Sequence, residues 1–282
     1  MLSLDDLYSL LRRLGNNSIV LDLGCGRGSF QYEACRGRIV AMDLDLPDQR
    51  LRRPQAAYMR ADSSAIPLPD ASVDAVVSHH TLEHFLDYKT TLSEIRRILS
   101  PHGWLWIAIP NGYGFDDAFY RFLFAGGGHV NRFSYDPLVT EVEHATDTQL
   151  ARSCDLFSSF IYLRRPAEDE LQPQTGRTGF LLEIPESFLT FSVLALNTVT
   201  RLIDKACGTR FSQYGWGFVF VRQPMPIEQM PSYFNVCRQC GSGNSAEFLK
   251  RSAGRSLFGL GIYHCPNCGE FNVLVQPPPN LQ

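Results

Sequence analysis

The feature that most constrains this chain is an apolar run, Ser18 to Leu23, that breaks at once into Gly24-Cys25-Gly26-Arg27-Gly28. The run predicts a buried strand, and the glycines predict a turn whose backbone N–H groups can approach a ligand because no Cβ intrudes. A helix is expected over Ser29 to Cys35. Further strands follow at Arg38 to Met42, Ala57 to Arg60, Val73 to Ser78 and Trp104 to Ile109. Between the last two, Leu92, Ile95, Ile98 and Leu99 trace one face of a helix that stops at Ser100-Pro-His-Gly103. Strands alternating with helices predict a doubly wound parallel sheet, with a ligand site at the carboxyl ends of its strands.

Around that frame, Leu4, Leu7, Leu10, Leu11 and Leu14 predict a short amphipathic helix before the first strand. Beyond Gly112 the pattern dissolves into a Gly-rich aromatic stretch. A helix is then expected over Pro137 to Ser153, a strand over Leu156 to Leu163, an apolar helical region over Phe180 to Lys205, and a strand over Gly215 to Val221. The sheet is expected to end near Arg222. Gln223-Pro-Met-Pro226 reads as linker. The 282 residues, 44% apolar and 20% charged, suit a globular chain rather than a disordered one. With 26 Lys and Arg against 29 Asp and Glu, no global basic field would draw the protein to nucleic acid or anionic lipid. The start lacks a basic, apolar leader, so a cytosolic setting is expected. The longest apolar stretch, Ser187 to Val199, falls short of the ~20 residues of a membrane span.

The ligand can be narrowed from the residues themselves. Asp43 closes the second strand about 20 residues after the glycine loop, where a carboxylate can accept both hydroxyls of a ribose. The loop spacing G-x-G-x-G omits the last glycine of the dinucleotide fingerprint. Asp22, ahead of the loop, would repel a pyrophosphate but suit a cationic amino group. A cationic nucleoside bearing an amino acid, S-adenosylmethionine, fits both observations.

At this point the sequence resembles the class I S-adenosylmethionine-dependent methyltransferases of the type 11-like group. The resemblance is carried by Val20-Leu-Asp-Leu-Gly-Cys-Gly-Arg-Gly28, Ala41-Met-Asp-Leu-Asp45, Arg60-Ala-Asp62-Ser63, Ile66-Pro-Leu-Pro-Asp-Ala-Ser-Val-Asp74, Leu82-Glu-His84 and Leu99-Ser-Pro-His-Gly103. It implies an α/β, Rossmann-like, seven-stranded sheet whose last strand is antiparallel. It also implies that Asp22, Gly24, Cys25, Gly26 and Gly28 hold the methionine part, Asp43 the ribose, and Asp62 with Ser63 the adenine edge. Leu44 would pack on the adenine ring, and His79 is counted with the cofactor site.

Methyl transfer needs in-line alignment more than it needs a protein base. For a hydroxyl acceptor a base helps, and His80, His84 and His129 are the available histidines. His129, in Gly126-Gly-Gly-His-Val-Asn-Arg-Phe133, is the favoured one and His84 the second. Tyr113 and Tyr120 are candidates to line the pocket. Residues 180–205 are read as a lid over the substrate in preference to a membrane-contacting face, because Lys and Arg are sparse there.

Cys237-Arg-Gln-Cys240-Gly241 and Cys265-Pro-Asn-Cys268-Gly269 form two C-x-x-C-G knuckles. Each turn aims two thiolates at one point, so the pair predicts a structural Zn2+ site held by Cys237, Cys240, Cys265 and Cys268 and resembles a zinc ribbon. The expected organisation is a methyltransferase domain over 1–222, with 112–154 and 164–213 covering the substrate, a linker over 223–232 and a small zinc-ribbon module over 233–282. The expected function is methyl transfer to a small-molecule, glycan or lipid-linked acceptor. The alternatives are an RNA methyltransferase that grips RNA with the ribbon, for which a basic stripe is lacking, and a non-catalytic methyltransferase-like scaffold.

Overall fold

The computed structural model describes residues 5–124, 126–157, 160–163, 183–225, 233–252, 255–257 and 259–274. The opening helix α1 (Asp5–Arg13) precedes β1 (Ile19–Leu23), β2 (Arg38–Asp43), β3 (Ala56–Arg60) and β4 (Val73–His79). Helix α2 (Tyr88–Ile98) leads to β5 (Leu99–Pro110), followed by α3 (Phe115–Leu123), α4 (Tyr135–Thr146) and β6 (Gln149–Phe157). The long helix α5 (Glu186–Cys207) precedes β7 (Gln213–Val221). The C-terminal part carries β8 (Tyr233–Val236), β9 (Gly243–Ser245), α6 (Ala246–Ser252), β10 (Arg255–Leu257), β11 (Leu260–His264) and β12 (Phe271–Val273).

The main sheet among the described residues runs β3-β2-β1-β4-β5-β7-β6-β8-β9. Its first seven members have the expected mixed architecture, parallel from β3 to β5 with β7 antiparallel to both β5 and β6. The expectation of seven strands is corrected to nine. The sheet does not end near Arg222: β8 pairs parallel with β6, and β9 antiparallel with β8. Strands β10, β11 and β12 make a second small sheet. Residues 226–232 of the expected linker and 164–182 of the expected insertion lie outside the described residues.

Alternation along the strands explains why both faces are covered. In β1, Val20 packs with Leu7, Leu10, Leu11 and Trp106 on one face, while Leu21 and Leu23 pack with Leu92, Ile95, Ile107 and Leu138 on the other. The apolar stripe of α1 therefore buries one side of the sheet and those of α2 and α4 the other. Asp87 starts α2 by accepting from the Thr90 N–H at 3.1 Å. Strands β5 and β7 approach so closely that a Cβ on Gly215 would lie 2.2 Å from the Ile109 carbonyl oxygen.

Three sequence expectations change. The helix expected over Ser29–Cys35 is a single 3-10 turn, Tyr32–Ala34. Buried Phe30 and the Tyr32 hydroxyl, bonded to Asp22 Oδ2 at 2.7 Å, pin this segment instead of letting it wind. The helix expected over Pro137–Ser153 stops at Thr146, because Asp147 takes the left-handed conformation (φ 56°) and turns the chain into β6. The strand expected over Leu156–Leu163 therefore begins earlier and ends at Phe157. Inside the Gly-rich stretch after Gly112, α3 forms with Asp116 and Asp117 in its first turn, where carboxylates suit the helix dipole.

Candidate active site

A cavity of about 790 Å³ opens at the carboxyl ends of β1, β2, β4 and β5, with Leu23, Asp43, His79 and Pro110 in its wall. The glycine loop forms its floor. Gly24 has φ +69°, and a Cβ there would meet Thr81 Cγ2 at 1.9 Å. Met42 O accepts from the N–H groups of Gly24 and Cys25, at 2.8 and 3.0 Å, so the loop is stitched to the end of β2. Asp43 adds a second stitch, its Oδ2 accepting from Gly26 N–H at 2.9 Å.

Asp22 lies beneath this loop rather than in the cavity wall. It is fully buried, its Oδ2 accepts from Ser29 N–H and Tyr32 Oη, and its Oδ1 has no partner. Burial raises its pKa, while the bonds from Ser29 and Tyr32 oppose that rise. An unsatisfied buried carboxylate oxygen behind the loop fits a site built for a cationic ligand. Leu44, on the cavity wall, is 55% exposed, an apolar side chain awaiting a flat partner such as an adenine ring. Gly24, Cys25, Gly26, Gly28, Asp43, Ser63 and His79 join it in lining the same space. Asp62 is not among the lining residues: its Oδ1 is taken by the Ser64 N–H and Oγ, both at 2.8 Å, which hold its pKa low. The Cys25 thiol is pushed up to about 12, first by burial and then by Asp22 and Asp43, so it is no nucleophile.

The same cavity is lined by His80, Glu83, His84, Asp116, Asp117 and His129, and by Tyr120, Tyr162 and Tyr214. The structure thus brings together all three histidines that the sequence offered. His129 stands between two rings, 4.6 Å from Tyr120 and 4.8 Å from His84 by centroid. Its Nδ1 lies 2.6 Å from Asp117 Oδ1, and Asp117 Oδ2 accepts from Arg121 Nε at 2.5 Å. Burial pushes the Asp117 pKa up, but the bonds from His129 and Arg121 outweigh it and hold the carboxyl below its ordinary value. A carboxylate there fixes the imidazole tautomer, with the proton on Nδ1 and a lone pair on Nε2. Burial lowers the His84 pKa and favours its neutral form.

Asp117 and Asp116 were invisible as site residues in the sequence. The available signal was their place at the start of a helix directly after β5, whose end opens on the cavity. Asp116 is buried beside Asp117, and burial raises its pKa to about 7. Tyr113 is exposed and absent from the wall, whereas Tyr120 lines it. Helix α5 packs Leu189 and Val193 against Phe160, Leu163, Phe115 and Phe119, and leaves Phe188, Phe191 and Val199 exposed. No described helix is long and apolar enough to cross a membrane.

The four knuckle cysteines converge. Their sulfurs lie within 4.8 Å of one another, with Cys237 to Cys268 and Cys240 to Cys265 both 3.7 Å. Sulfurs about 2.3 Å from a tetrahedral Zn2+ would sit about 3.8 Å apart, so the spacing fits that ion. Asn272 Nδ2 and Gln239 N–H donate to Cys237 Sγ, and Asn267 Nδ2 donates to Cys240 Sγ, as thiolates require.

A mixed sheet with a glycine cradle after β1 and an acidic residue at the end of β2 is a Rossmann-like arrangement, of the kind that methyltransferase folds share. Residues 21–107 match a family model described as a methyltransferase domain. Over 97 residues the chain is 38% identical to a Mycobacterium tuberculosis protein named as an S-adenosylmethionine-dependent methyltransferase, covering 33% of this chain and 35% of that protein. Over 101 residues it is 35% identical to the malonyl-[acyl-carrier protein] O-methyltransferase of Pseudescherichia vulneris, covering 33% of this chain and 40% of the relative. The chain thus spans little more than a third of the length of these relatives. Among solved structures, phosphoethanolamine N-methyltransferase 2 of Haemonchus contortus shares the fold at a TM-score of 0.51 and 16% identity, covering 79% of this chain and 52% of that one. These matches do not favour the RNA-gripping or scaffold alternatives.

Proposed function

We propose that this protein transfers a methyl group from S-adenosylmethionine to a hydroxyl of a small-molecule, glycan or lipid-linked acceptor. The observation that carries the reading is a single cavity with two chemically distinct ends. One is floored by the glycine loop and carries Asp43 and Leu44; the other gathers His84 and His129, with Asp117 behind the latter. The donor end would seat the nucleoside on Leu44, with Asp43 toward the ribose and the loop against the methionine part. Asp62, whose Oδ1 is committed to Ser64, would act on the adenine edge through the loop that carries Ser63.

At the acceptor end, His129 and His84 are the groups assigned to activating the hydroxyl. Asp117 positions His129, and Tyr120 and Tyr162 shape the wall. A sulfonium is already an activated leaving group, so alignment across the cavity supplies much of the rate. The exposed apolar side chains of α5 are the feature that favours including lipid-linked acceptors. The four cysteines would hold one structural Zn2+, closed to catalysis because thiolates fill all four positions.

Calorimetric titration of the zinc-loaded protein with S-adenosylmethionine and S-adenosylhomocysteine tests the reading. Micromolar binding of both is the expected result. Absence of binding to either would overturn it and shift attention to the scaffold alternative.

A further inference from the structure

Three side chains at the acceptor end share a geometry that a methyl-transfer pocket does not itself demand. Glu83 sits on the 3-10 turn Leu82–His84 with its side chain 2% exposed. Its Oε2 is buried without a partner, and its Oε1 lies 3.6 Å from His80 Nδ1. A buried carboxylate left half satisfied beside a cavity is costly unless a cation visits it.

The two neighbouring imidazoles are prepared in the same sense. His84 Nδ1 lies 3.0 Å from the Gly128 carbonyl oxygen, so it must donate, and the lone pair falls on Nε2. His129 Nδ1 is likewise committed to Asp117, itself held by Arg121. A carboxylate or carbonyl behind the far nitrogen is the arrangement that orients an imidazole toward a metal ion. One ligand atom from each of Glu83, His84 and His129 lies within 4.8 Å of the others.

The backbone holds these groups together. Val130 and Asn131 N–H both donate to the Glu83 carbonyl oxygen at 3.0 Å. Asn131 Nδ2 donates to Phe85 O at 2.7 Å, and Arg121 Nη2 to Asn131 O at 2.8 Å, so the segment bearing His129 is tied to the turn bearing Glu83 and His84.

We propose that Glu83, His84 and His129 hold a divalent first-row cation in the cavity wall, where it would bind the acceptor oxygen from the side and leave the line from that oxygen to the methyl carbon open. Two imidazoles and one carboxylate suit Mn2+, Fe2+, Co2+ or Zn2+ better than Mg2+ or Ca2+, and leave positions open for an acceptor oxygen. The inference rests on the methyltransferase reading for the identity of that oxygen, and it supplies the means of activation. The cation lowers the pKa of the hydroxyl it binds, the proton leaves to water, and the oxygen bonds the methyl carbon as the carbon–sulfur bond breaks. The products are the methyl ether and a neutral thioether.

The test uses full-length protein whose cysteine site is filled with Zn2+, titrated with Mn2+, which thiolates take poorly. Electron paramagnetic resonance of free Mn2+ should show one ion bound per chain, and spin-echo modulation should show imidazole nitrogens on it. Affinity should fall at least about tenfold in Glu83→Gln and His129→Ala, and about 10- to 100-fold in Asp117→Asn, in variants shown folded by circular dichroism. A wild-type protein that takes no Mn2+, or bound Mn2+ with no nitrogen modulation, overturns the proposal without need of any variant. So does Glu83→Gln binding as tightly as wild type. Failure of the methyltransferase reading would appear separately, as absent S-adenosylmethionine binding in calorimetry.

Discussion

Gly24→Ala probes the cradle at its most constrained point. Two costs are expected. Gly24 has φ +69°, and an alanine in this left-handed region is disfavoured by about 1–2 kcal/mol. Its Cβ would also fall 1.9 Å from Thr81 Cγ2, so Thr81 or the loop must move, an overpacking cost of about 1–3 kcal/mol. The sum, roughly 2–5 kcal/mol, can be divided by a second change. Thr81→Ser removes Cγ2 and keeps the hydroxyl that donates to the His79 carbonyl oxygen at 3.0 Å. In the Thr81→Ser background, where only the Cβ and Oγ contacts at 2.9 and 3.0 Å remain, Gly24→Ala should cost less than in the wild type, a coupling of up to about 1–3 kcal/mol. Urea unfolding followed by tryptophan fluorescence reads the relevant body, since Trp104, Trp106 and Trp216 all lie in β5 or β7. Equal costs in both backgrounds would refute the steric assignment, and a costless Gly24→Ala would refute the backbone one.

Asp43→Ala should weaken S-adenosylmethionine binding more than tenfold, since a lost charged hydrogen bond costs about 1.5–3 kcal/mol, with calorimetry as the measure; unchanged affinity would remove Asp43 from the site. Metal analysis of purified protein should find about one tightly held zinc per chain in the cysteine site, falling below half occupancy in Cys240→Ser. Asp116 gives a pH signature whose sign is fixed. Its folded pKa is raised from 3.8 to about 7, so the folded state binds the extra proton and stability is lost as pH rises from about 4 through 7, by at most about 4 kcal/mol. Asp116→Asn, able to keep the acceptor for the Phe160 N–H, should flatten that slope in chemical denaturation; an unchanged slope would assign it elsewhere.

How much of this was legible in the sequence depends on how local each signal is. The glycine-loop side of the cavity was legible because strand, glycine turn and Asp43 are neighbours along the chain, and each leaves its own mark on residue choice. The cysteine cluster was legible because thiolates in C-x-x-C turns have few other uses. The histidine-lined side of the cavity was half legible. His84 and His129 could be named, but Asp117 becomes a partner of His129 only once α3 folds back and Arg121 fixes both ends of the segment. Glu83 stood within a recognisable motif, yet its unpartnered oxygen is a tertiary property. The helix boundary at Asp147 had a cue in the Thr146-Asp147-Thr148 cluster, residue types that favour turns over helix interiors.

The C-terminal part was read as an appended module, and its attachment shows why composition alone misleads there. Strand β8 pairs in parallel with β6 through Asp155 to Tyr233, Leu156 to Phe234 and Phe157 to Asn235, and the first knuckle begins at the very next residue after β8, Cys237. Behind it, the fully buried Arg201 of α5 donates to Asn235 Oδ1 at 2.6 Å, and Asn235 Nδ2 donates to Tyr263 Oη at 2.6 Å. Burial lowers the Arg201 pKa to about 10, so the guanidinium stays charged at neutral pH and depends on those acceptors. Val236 and Gly241 meanwhile reach the wall of the cavity. The cysteine site, β8, α5 and the cavity wall are thus successive links in one packed chain. Cys237 and Cys240 are the sequence neighbours of Val236 and Gly241, and Asn235, two residues before Cys237, accepts from Arg201 of the helix that carries the exposed apolar face.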